Sequence, residues 1–314
     1  MTAPRVSILI PTYRYAGYLR EAMDSVLSQN FTDFEVLASD DCSGDGSAEL
    51  LQEYARCDPR VRVHIHPSNV GMVQNWNWCL ARARGEYVQF VFGDDLLACS
   101  DSIGKMVAML EANPEAVLAA CARNVIDEKS HVVEVWSALG ASGVNASGQT
   151  MLRCLMEGNL IGEPTAVMFR RSAAVRGFSE AYDQMVDLEM WFHLLTQGPV
   201  VYTRESLCGF RRHALQRTQT NTLKGVYESE ILRLTLDYYN SMSFNRKDVQ
   251  RVLFHRLYKS RRYVSDPDVA AARKQLFERL GFINYCMRWG LKKFVNPASE
   301  LLRWVNKRKR AVLR

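Results

Sequence analysis

The sequence predicts an α/β fold with a mostly parallel central sheet, followed by a C-terminal helical region. Three observations carry this expectation. Short apolar strand patterns alternate with helical periodicity through residue 122. Two of those strands run straight into paired carboxylates, at Asp40-Asp41 and at Asp94-Asp95. From about Leu223 onward no convincing strand pattern remains. Alternation of this kind implies crossover connections and a parallel sheet with helices on its faces.

The elements follow in order. Val6–Ile10 is a mostly apolar run that breaks at Pro11, and Ala16–Gln29 repeats Leu19, Met23, Val26 and Leu27 at helical spacing. Phe34–Ala38, Val61–Ile65, Tyr87–Phe92 and Ala116–Ala122 read as further strands, with helices over Ser47–Arg56, Met72–Arg84 and Ser100–Glu111 between them. Beyond residue 122 the pattern loosens. Val132–Trp136 reads as a strand, 137–148 as a Gly/Ser/Ala-rich loop, Gln149–Glu157 as a helix, Thr165–Phe169 as a strand and Leu188–Gln197 as a helix. Val200–Tyr202 and Leu207–Arg211 read as two short strands, and 224–241, 246–264 and 267–280 as helices. A boundary near residue 222 divides an α/β domain, 1–222, from a helical region, 223–314.

The stretch Tyr87-Val-Gln-Phe-Val-Phe-Gly-Asp-Asp95 carries the most chemistry. Adjacent carboxylates repel each other, and the carboxyl end of a strand in an open α/β sheet is where ligands bind. Asp94 and Asp95 therefore suit a divalent cation with something anionic attached to it. A surface turn explains the spacing alone equally well. A second pair, in Ser39-Asp40-Asp41-Cys42-Ser43-Gly44-Asp45-Gly46-Ser47, delivers carboxylates to the same sheet edge. In that stretch Asp45 suits turn and cap chemistry.

Composition narrows the class. The 314 residues are 47% hydrophobic and 24% charged, which is ordinary for a globular chain with a sizeable core. Eight cysteines occur without any C-x-x-C pair, which argues against a zinc site or a disulfide framework and for a reducing compartment. The apolar N-terminal run is too short for a signal peptide, and no apolar run approaches the roughly 18–20 residues that span a bilayer. A soluble cytoplasmic protein is expected. The positive charge is local: residues 288–314 hold nine Lys or Arg against Glu300 alone, a net +8 beside +6 for the whole chain. Interleaved with Trp289, Leu291, Phe294, Leu301, Leu302, Trp304 and Val305, this tail suits the interface of an anionic membrane, which would place the protein peripherally on the inner face of the cell membrane. A terminal helix packed on the body is the alternative. No nucleic-acid-binding module accompanies the charge, and neither G-x-G-x-x-G nor G-x-x-x-x-G-K-[ST] follows the first strand.

Several segments together resemble the family 2 glycosyltransferases and their GT-A nucleotide-diphospho-sugar transferase fold. They are Val6-Ser-Ile-Leu-Ile-Pro-Thr-Tyr13, Ser39 to Ser47, Asn69-Val-Gly71, Asn75-Trp-Asn77 and Ala83-Arg-Gly-Glu-Tyr-Val88. Gly93-Asp-Asp95, Val186-Asp-Leu-Glu-Met-Trp191, and Arg211-Arg-His213 with Gln216 and Thr218 complete the set, in family order across roughly residues 6–220. The resemblance implies that Pro11, Thr12 and Tyr13 border the nucleotide base. One of Asp40 and Asp41, by preference Asp41, would accept hydrogen bonds from base or ribose. Asp94 would face the ribose or the metal, and Asp95 would bind the metal, Mn²⁺ or Mg²⁺. Asp187 falls at the catalytic base, and His213 where some members approach the metal or diphosphate.

The departures matter too. The usual D-x-D is Gly93-Asp94-Asp95 here, and Trp76 stands where an Arg is common. The acidic pair at the base is Val186-Asp187, which makes Glu189 a candidate stand-in. Asp187 also has a simpler reading, as the cap of the helix that follows. Glu163, in Gly162-Glu-Pro-Thr165, is a candidate for the acceptor side, while Trp76 and Trp78 read as packing residues.

The implied chemistry is inverting transfer of a sugar from a nucleotide-sugar to a hydroxyl of a glycan or lipid-linked acceptor, as in bacterial surface-polysaccharide assembly, with no nucleic acid involved. A nucleotidyltransferase is disfavoured, because Pro11-Thr-Tyr-Arg-Tyr-Ala-Gly17 offers one Arg and one Gly for a triphosphate. A catalytically silent nucleotide- or glycan-binding module is the other alternative.

Overall fold

The computed structural model describes residues 3–213, 226–238 and 246–280. These fall into two compact units, the first ending at Tyr227 and the second beginning at Glu228.

The first unit is the expected α/β fold. Its sheet sets side by side, in order, Val61–Ile65, Phe34–Asp40, Val6–Thr12, Tyr87–Phe90, Val167–Arg170, Leu118–Ile126, Val200–Arg211 and Leu96–Leu97, with Val132–Trp136 beside Leu118–Ile126 and Gly143–Asn145 beside Val200–Arg211. The parallel part is built from β1 (Val6–Thr12), β2 (Phe34–Asp40), β3 (Val61–Ile65) and β4 (Tyr87–Phe90). Every residue of β1, β2 and β4 is buried, so these strands read as mostly apolar runs without a regular polar alternation, and their buried polar exceptions, such as Ser7, Glu35 and Gln89, are hydrogen-bonded. Between them lie α1 (Ala16–Leu27), α2 (Ser47–Cys57) and α3 (Met72–Arg82). Helix α1 buries Leu19, Ala22, Met23 and Val26, one face at helical spacing. Register places Thr12 opposite Asp40, and the Asp41 N–H donates to the Thr12 carbonyl at 2.9 Å, so these strand ends share one edge.

After β4 the sheet becomes mixed. β5 (Leu96–Leu97) and α4 (Ser102–Ala112) lead to β6 (Leu118–Ile126) and β7 (Val132–Trp136). β8 (Gly143–Asn145), α5 (Ser147–Glu157), β9 (Val167–Arg170), α6 (Val186–Leu195) and β10 (Val200–Arg211) complete the unit. β9 enters antiparallel between β4 and β6, and β10 returns parallel to β6. Three local expectations are corrected. The two short strands expected at 200–211 are one strand: its register slips between Thr203 and Cys208, and that bulge absorbs the polar Thr203-Arg-Glu-Ser206 that reads as a loop. The loop expected at 137–148 contains β8. Helix α6 begins at Val186 with Met185 in the capping position, so Asp187 lies inside the first turn and is not the cap.

The second unit is helical over its described residues: α7 (Val226–Tyr238, begun in the first unit), α8 (Arg246–Lys259) and α9 (Pro267–Leu280). Leu232, Leu236, Leu253, Leu257, Val269 and Leu276 form its core. The basic tail, 288–314, lies outside the described residues.

Candidate active site

Asp94 and Asp95 sit in the turn after β4, with only 5% and 2% of their surface exposed. Gly93 shapes that turn: a Cβ there would lie 3.0 Å from Tyr15 Cδ2, so the Tyr15 ring packs where a larger side chain would begin. Two neighbouring buried carboxylates strain against each other. Burial first, and the Asp94 charge second, push the Asp95 carboxyl well above its usual range. The same causes, burial and then the charges of Asp94 and Asp95, raise the Tyr15 phenol.

The pair is held from three sides. Asp95 accepts from the Thr165 hydroxyl at 2.6 Å and from the Arg211 backbone N–H at 3.0 Å. The carbonyl of Asp94 accepts from Arg211 Nε at 2.7 Å, and its carboxylate lies 3.1 Å from His213 Nε2. Arg211 is fully buried; its remaining nitrogens donate to the Asp127 carbonyl and Ser130 hydroxyl, both at 2.9 Å, and to Glu21 at 2.6 Å. Its guanidinium lies 4.7 Å from the Tyr18 ring centroid, and Tyr18 in turn lies 5.3 Å from the His213 ring. So the structure brings Asp94, Asp95 and His213 together, and adds Arg211, Thr165 and Tyr15, to which sequence reasoning gave no role.

Asp40 and Asp41 lie along the same edge but face their own chain. Asp41 accepts the Val70 and Gly71 N–H groups at 2.7 and 3.0 Å, and Asp40 accepts the Ser43 N–H at 2.9 Å and its hydroxyl at 2.5 Å. As found, both carboxylates clamp loops, with lone pairs left for a ligand. Asp45 has the turn role its setting suggests: it accepts from Ser47 N–H and hydroxyl and, through its other oxygen, from Ala16 N–H. Pro11 and Thr12 are buried at the end of β1, whereas the Tyr13 ring is 40% exposed with the Arg14 guanidinium 5.1 Å from it. Of the three, Tyr13 is the exposed residue.

Asp187 occupies a different setting. One oxygen accepts the Leu188 N–H at 2.7 Å, one of the helix-end donors that α6 cannot use itself, and the other accepts Asn159 Nδ2 at 2.9 Å. Burial first, then the negative charge of Glu163, push its carboxyl up to about 7. Glu163 is ion-paired with Arg123, a buried guanidinium lying 5.2 Å from the Trp136 ring centroid. The Glu163 charge also reaches Asp95, so Asp95 and Asp187 border one acidic neighbourhood.

Glu189 does not stand in for Asp187. It is buried, and its two oxygens take Arg176 Nη1 and Nη2 at 2.7 and 2.6 Å. Residues two apart on a helix project from different faces, so Glu189 and Asp187 serve different neighbours. Trp76, at the position where an Arg is common, packs on Phe92 and Phe178 at 4.8 and 5.2 Å, and Trp78 stacks on His64 at 4.0 Å.

Among the described residues no group of three or more His, Cys, Asp or Glu side chains is placed to hold a metal ion. Asp94, Asp95 and His213 offer two carboxylates and an imidazole. Carboxylate oxygens and an imidazole are donor types that divalent cations take, and the repulsion that raises the Asp95 carboxyl is what a cation would relieve.

The fold is that of the GT-A glycosyltransferases. S. aureus TarS 1–349, solved in complex with UDP-GlcNAc, superposes with a TM-score of 0.65 at 15% identity, covering 88% of this chain and 82% of that one. The mannosyltransferase PcManGT from Pyrobaculum calidifontis, in complex with GDP-Man and Mn²⁺, gives 0.58 at 17% identity, covering 87% and 74%. At such identities the likeness speaks for the fold alone. Glycosyl transferase family 2 matches residues 7–178, more than half of the chain, and the chain belongs to this family. An uncharacterized glycosyltransferase of Rickettsia typhi is 26% identical over 221 residues, 69% of this chain and 67% of its own length. TuaG of Bacillus subtilis, a putative teichuronic acid biosynthesis glycosyltransferase, is 38% identical over 92 residues, 29% of this chain and 36% of its own length. The protein is thus a glycosyltransferase.

Proposed function

We propose that the protein moves a sugar from a nucleotide-sugar to a hydroxyl of a glycan or lipid-linked acceptor, with inversion, in bacterial surface-polysaccharide synthesis. The observation that carries this reading is the segment Asn159 to Thr165. It touches Asp187 at one end and Asp95 at the other, so a proton acceptor and a metal-type carboxylate are held on one short piece of chain.

In this reading Tyr13 stacks on the base, with Pro11 and Thr12 beside it, and Asp40 and Asp41 hold the loops that border the nucleotide. Asp94, Asp95 and His213 hold a divalent cation, Mn²⁺ or Mg²⁺; when bound, it offsets the negative charge that develops on the leaving diphosphate. Asp187 accepts the proton of the acceptor hydroxyl as that oxygen bonds to the anomeric carbon. The bond from that carbon to the diphosphate breaks, and its electron pair leaves with the diphosphate. A base that holds its proton to about pH 7 is matched to that task near neutrality. All of these side chains lie in residues 11–213, so we assign the chemistry to the 1–222 domain and leave 223–314 as a helical appendage. TarS and PcManGT were solved with UDP-GlcNAc and GDP-Man, which supports a nucleotide-sugar as donor. TuaG supports a polysaccharide as product.

The test is calorimetry of the purified protein against UDP, GDP, dTDP and CDP, with Mn²⁺ and then with EDTA, followed by consumption of the matching nucleotide-sugar. Metal-dependent binding of one nucleotide, with turnover of its sugar, supports the reading. No binding to any of the four removes it.

A further inference from the structure

The side chain of Asn159 is tied at both ends. Its Oδ1 accepts the Gly162 N–H at 3.1 Å, and its Nδ2 donates to the Gly162 carbonyl at 3.0 Å and to Asp187 at 2.9 Å. The Gly162 N–H needs an acceptor, so the amide cannot be turned over without losing that bond and setting its oxygen against the Asp187 carboxylate. Both Nδ2 hydrogens are thereby committed, one to the loop and one to the carboxylate.

Gly162 is fixed as well. Trp191 Nε1 donates to its carbonyl at 2.9 Å, and its φ of +130° belongs to the region that favours glycine. A Cβ there would lie 2.9 Å from the Ala166 Cβ. The loop that carries Asn159 has little freedom, and Asn159 passes that rigidity to Asp187.

Resting on the reading of Asp187 as the base, we infer that Asn159 is its positioning residue: the Nδ2 bond fixes the direction of the Asp187 carboxylate and stabilises its charged form. The charged groups facing Asp187 are Glu163, which opposes its ionisation, and Arg123, which favours it. Asn159 adds a neutral side-chain donor beside the Leu188 N–H, and both favour the ionised form, because a carboxylate oxygen accepts a hydrogen bond more strongly than a protonated carboxyl does. Removing the amide leaves Glu163 less opposed. Asp187 then keeps its proton to a higher pH and rotates more freely about its side-chain bonds. Asn159 touches neither the acceptor nor the donor in this account; it acts through Asp187.

The test uses the full chain with ¹³C-labelled Asp carboxyl groups, titrated by NMR without any ligand, the Asp187 signal being assigned by its loss in Asp187→Asn. Asn159→Ala is expected to move the Asp187 midpoint upward. It should lower kcat at pH 7 by roughly tenfold or more, shift the acid limb of the kcat/KM profile by the same amount as the midpoint, and leave donor affinity unchanged. Asn159→Ser is the companion variant if Asn159→Ala does not fold, with the same expectation at reduced size. Trp191→Phe removes the other hold on Gly162 and keeps the Asn159–Asp187 bond; its midpoint should stay put. An unmoved midpoint in the Asn159 variants, or an equal movement in Trp191→Phe, overturns the inference and leaves Asn159 as a loop anchor. Normal turnover in Asp187→Asn removes the base reading itself. An inactive Asp187→Asn beside an unaffected Asn159→Ala removes this inference alone.

Discussion

Arg211 donates its backbone N–H to Asp95 at 3.0 Å while its Nε holds the carbonyl of Asp94 at 2.7 Å, so one buried residue frames the whole acidic turn. The same guanidinium reaches Glu21, Ser130 and the Asp127 carbonyl. Truncating it strands buried acceptors and uncovers a carboxylate pair. Arg211→Ala is expected to cost about 3–5 kcal/mol in urea denaturation, with loss of metal-dependent nucleotide binding. Arg211→Lys keeps the charge but not the planar fork, and should fall between. A loss below about 1 kcal/mol for Arg211→Ala would show that the cation is dispensable.

Asp95 pits function against stability. Its carboxyl is pushed up by burial and by Asp94, so ionising it costs the folded protein free energy that a cation would return. Asp95→Asn should therefore raise the melting temperature in EDTA, while both Asp95→Asn and Asp95→Ala abolish the metal-dependent part of nucleotide affinity. Calorimetry with and without EDTA reads the second effect. An affinity as metal-sensitive as the wild type's would remove Asp95 from the metal site.

Asp187 gives a pH dependence of definite sign. Unfolded, its carboxyl titrates near 3.9; folded, it holds its proton to about 7. Between those values the folded chain keeps a proton that the unfolded chain has released, so stability declines as pH rises through that window and levels off above it. Asp187→Asn removes this decline. Relative to wild type it should gain on the order of 2–4 kcal/mol on moving from pH 4 to pH 8 in matched denaturation curves. Turnover runs the other way. It should rise with pH to a plateau above about 7, and fall roughly 10²–10⁴-fold in Asp187→Asn with donor affinity retained. A wild-type profile flat from pH 5 to 8 would take the base role from Asp187.

Much of the fold was legible for one reason: β1, β2 and β4 are buried along their whole length, so they read as mostly apolar runs between periodic helices. β10 was not, because a bulge lets Thr203 to Ser206 sit within a strand while reading as a loop. The carboxylates Asp94, Asp95 and Asp187 and the imidazole of His213 stood out through their motifs. Thr165 and Asn159 did not, since each acts by a side-chain bond to a residue distant in sequence, Asp95 and Asp187, and no local pattern marks such a bond. Arg211 lay in a quoted motif, yet nothing in the sequence says that a strand-end cation is buried behind the carboxylates. Asp40 and Asp41 show the converse. Paired acids at a strand end suggest ligand contacts, and here their oxygens first satisfy backbone N–H groups of their own loops.

The basic tail is a prediction from sequence alone. Residues 288–314 carry +8 with Trp289 and Trp304 interleaved, and no helix among the described residues is long and apolar enough to cross a membrane. If the tail binds anionic lipid, removing 288–314 should lower binding to phosphatidylserine-containing liposomes and abolish its salt sensitivity, with nucleotide binding unchanged. Undiminished sedimentation with such vesicles would reassign the tail to packing.

Glu189 tests the opposite kind of claim, that a motif acid is structural. Both of its oxygens are engaged by Arg176, and it sits buried on another face of α6 from Asp187. Glu189→Gln keeps the shape but loses the charge that matches the guanidinium. Arg176 is partly exposed, so water compensates in part, and the expected cost is about 1–3 kcal/mol rather than the larger penalty of a fully buried break. Turnover per folded molecule and the acid limb near pH 7 should not move. A fall in kcat of a hundredfold or more with unchanged stability would make Glu189 the base after all, with Asp187 its neighbour.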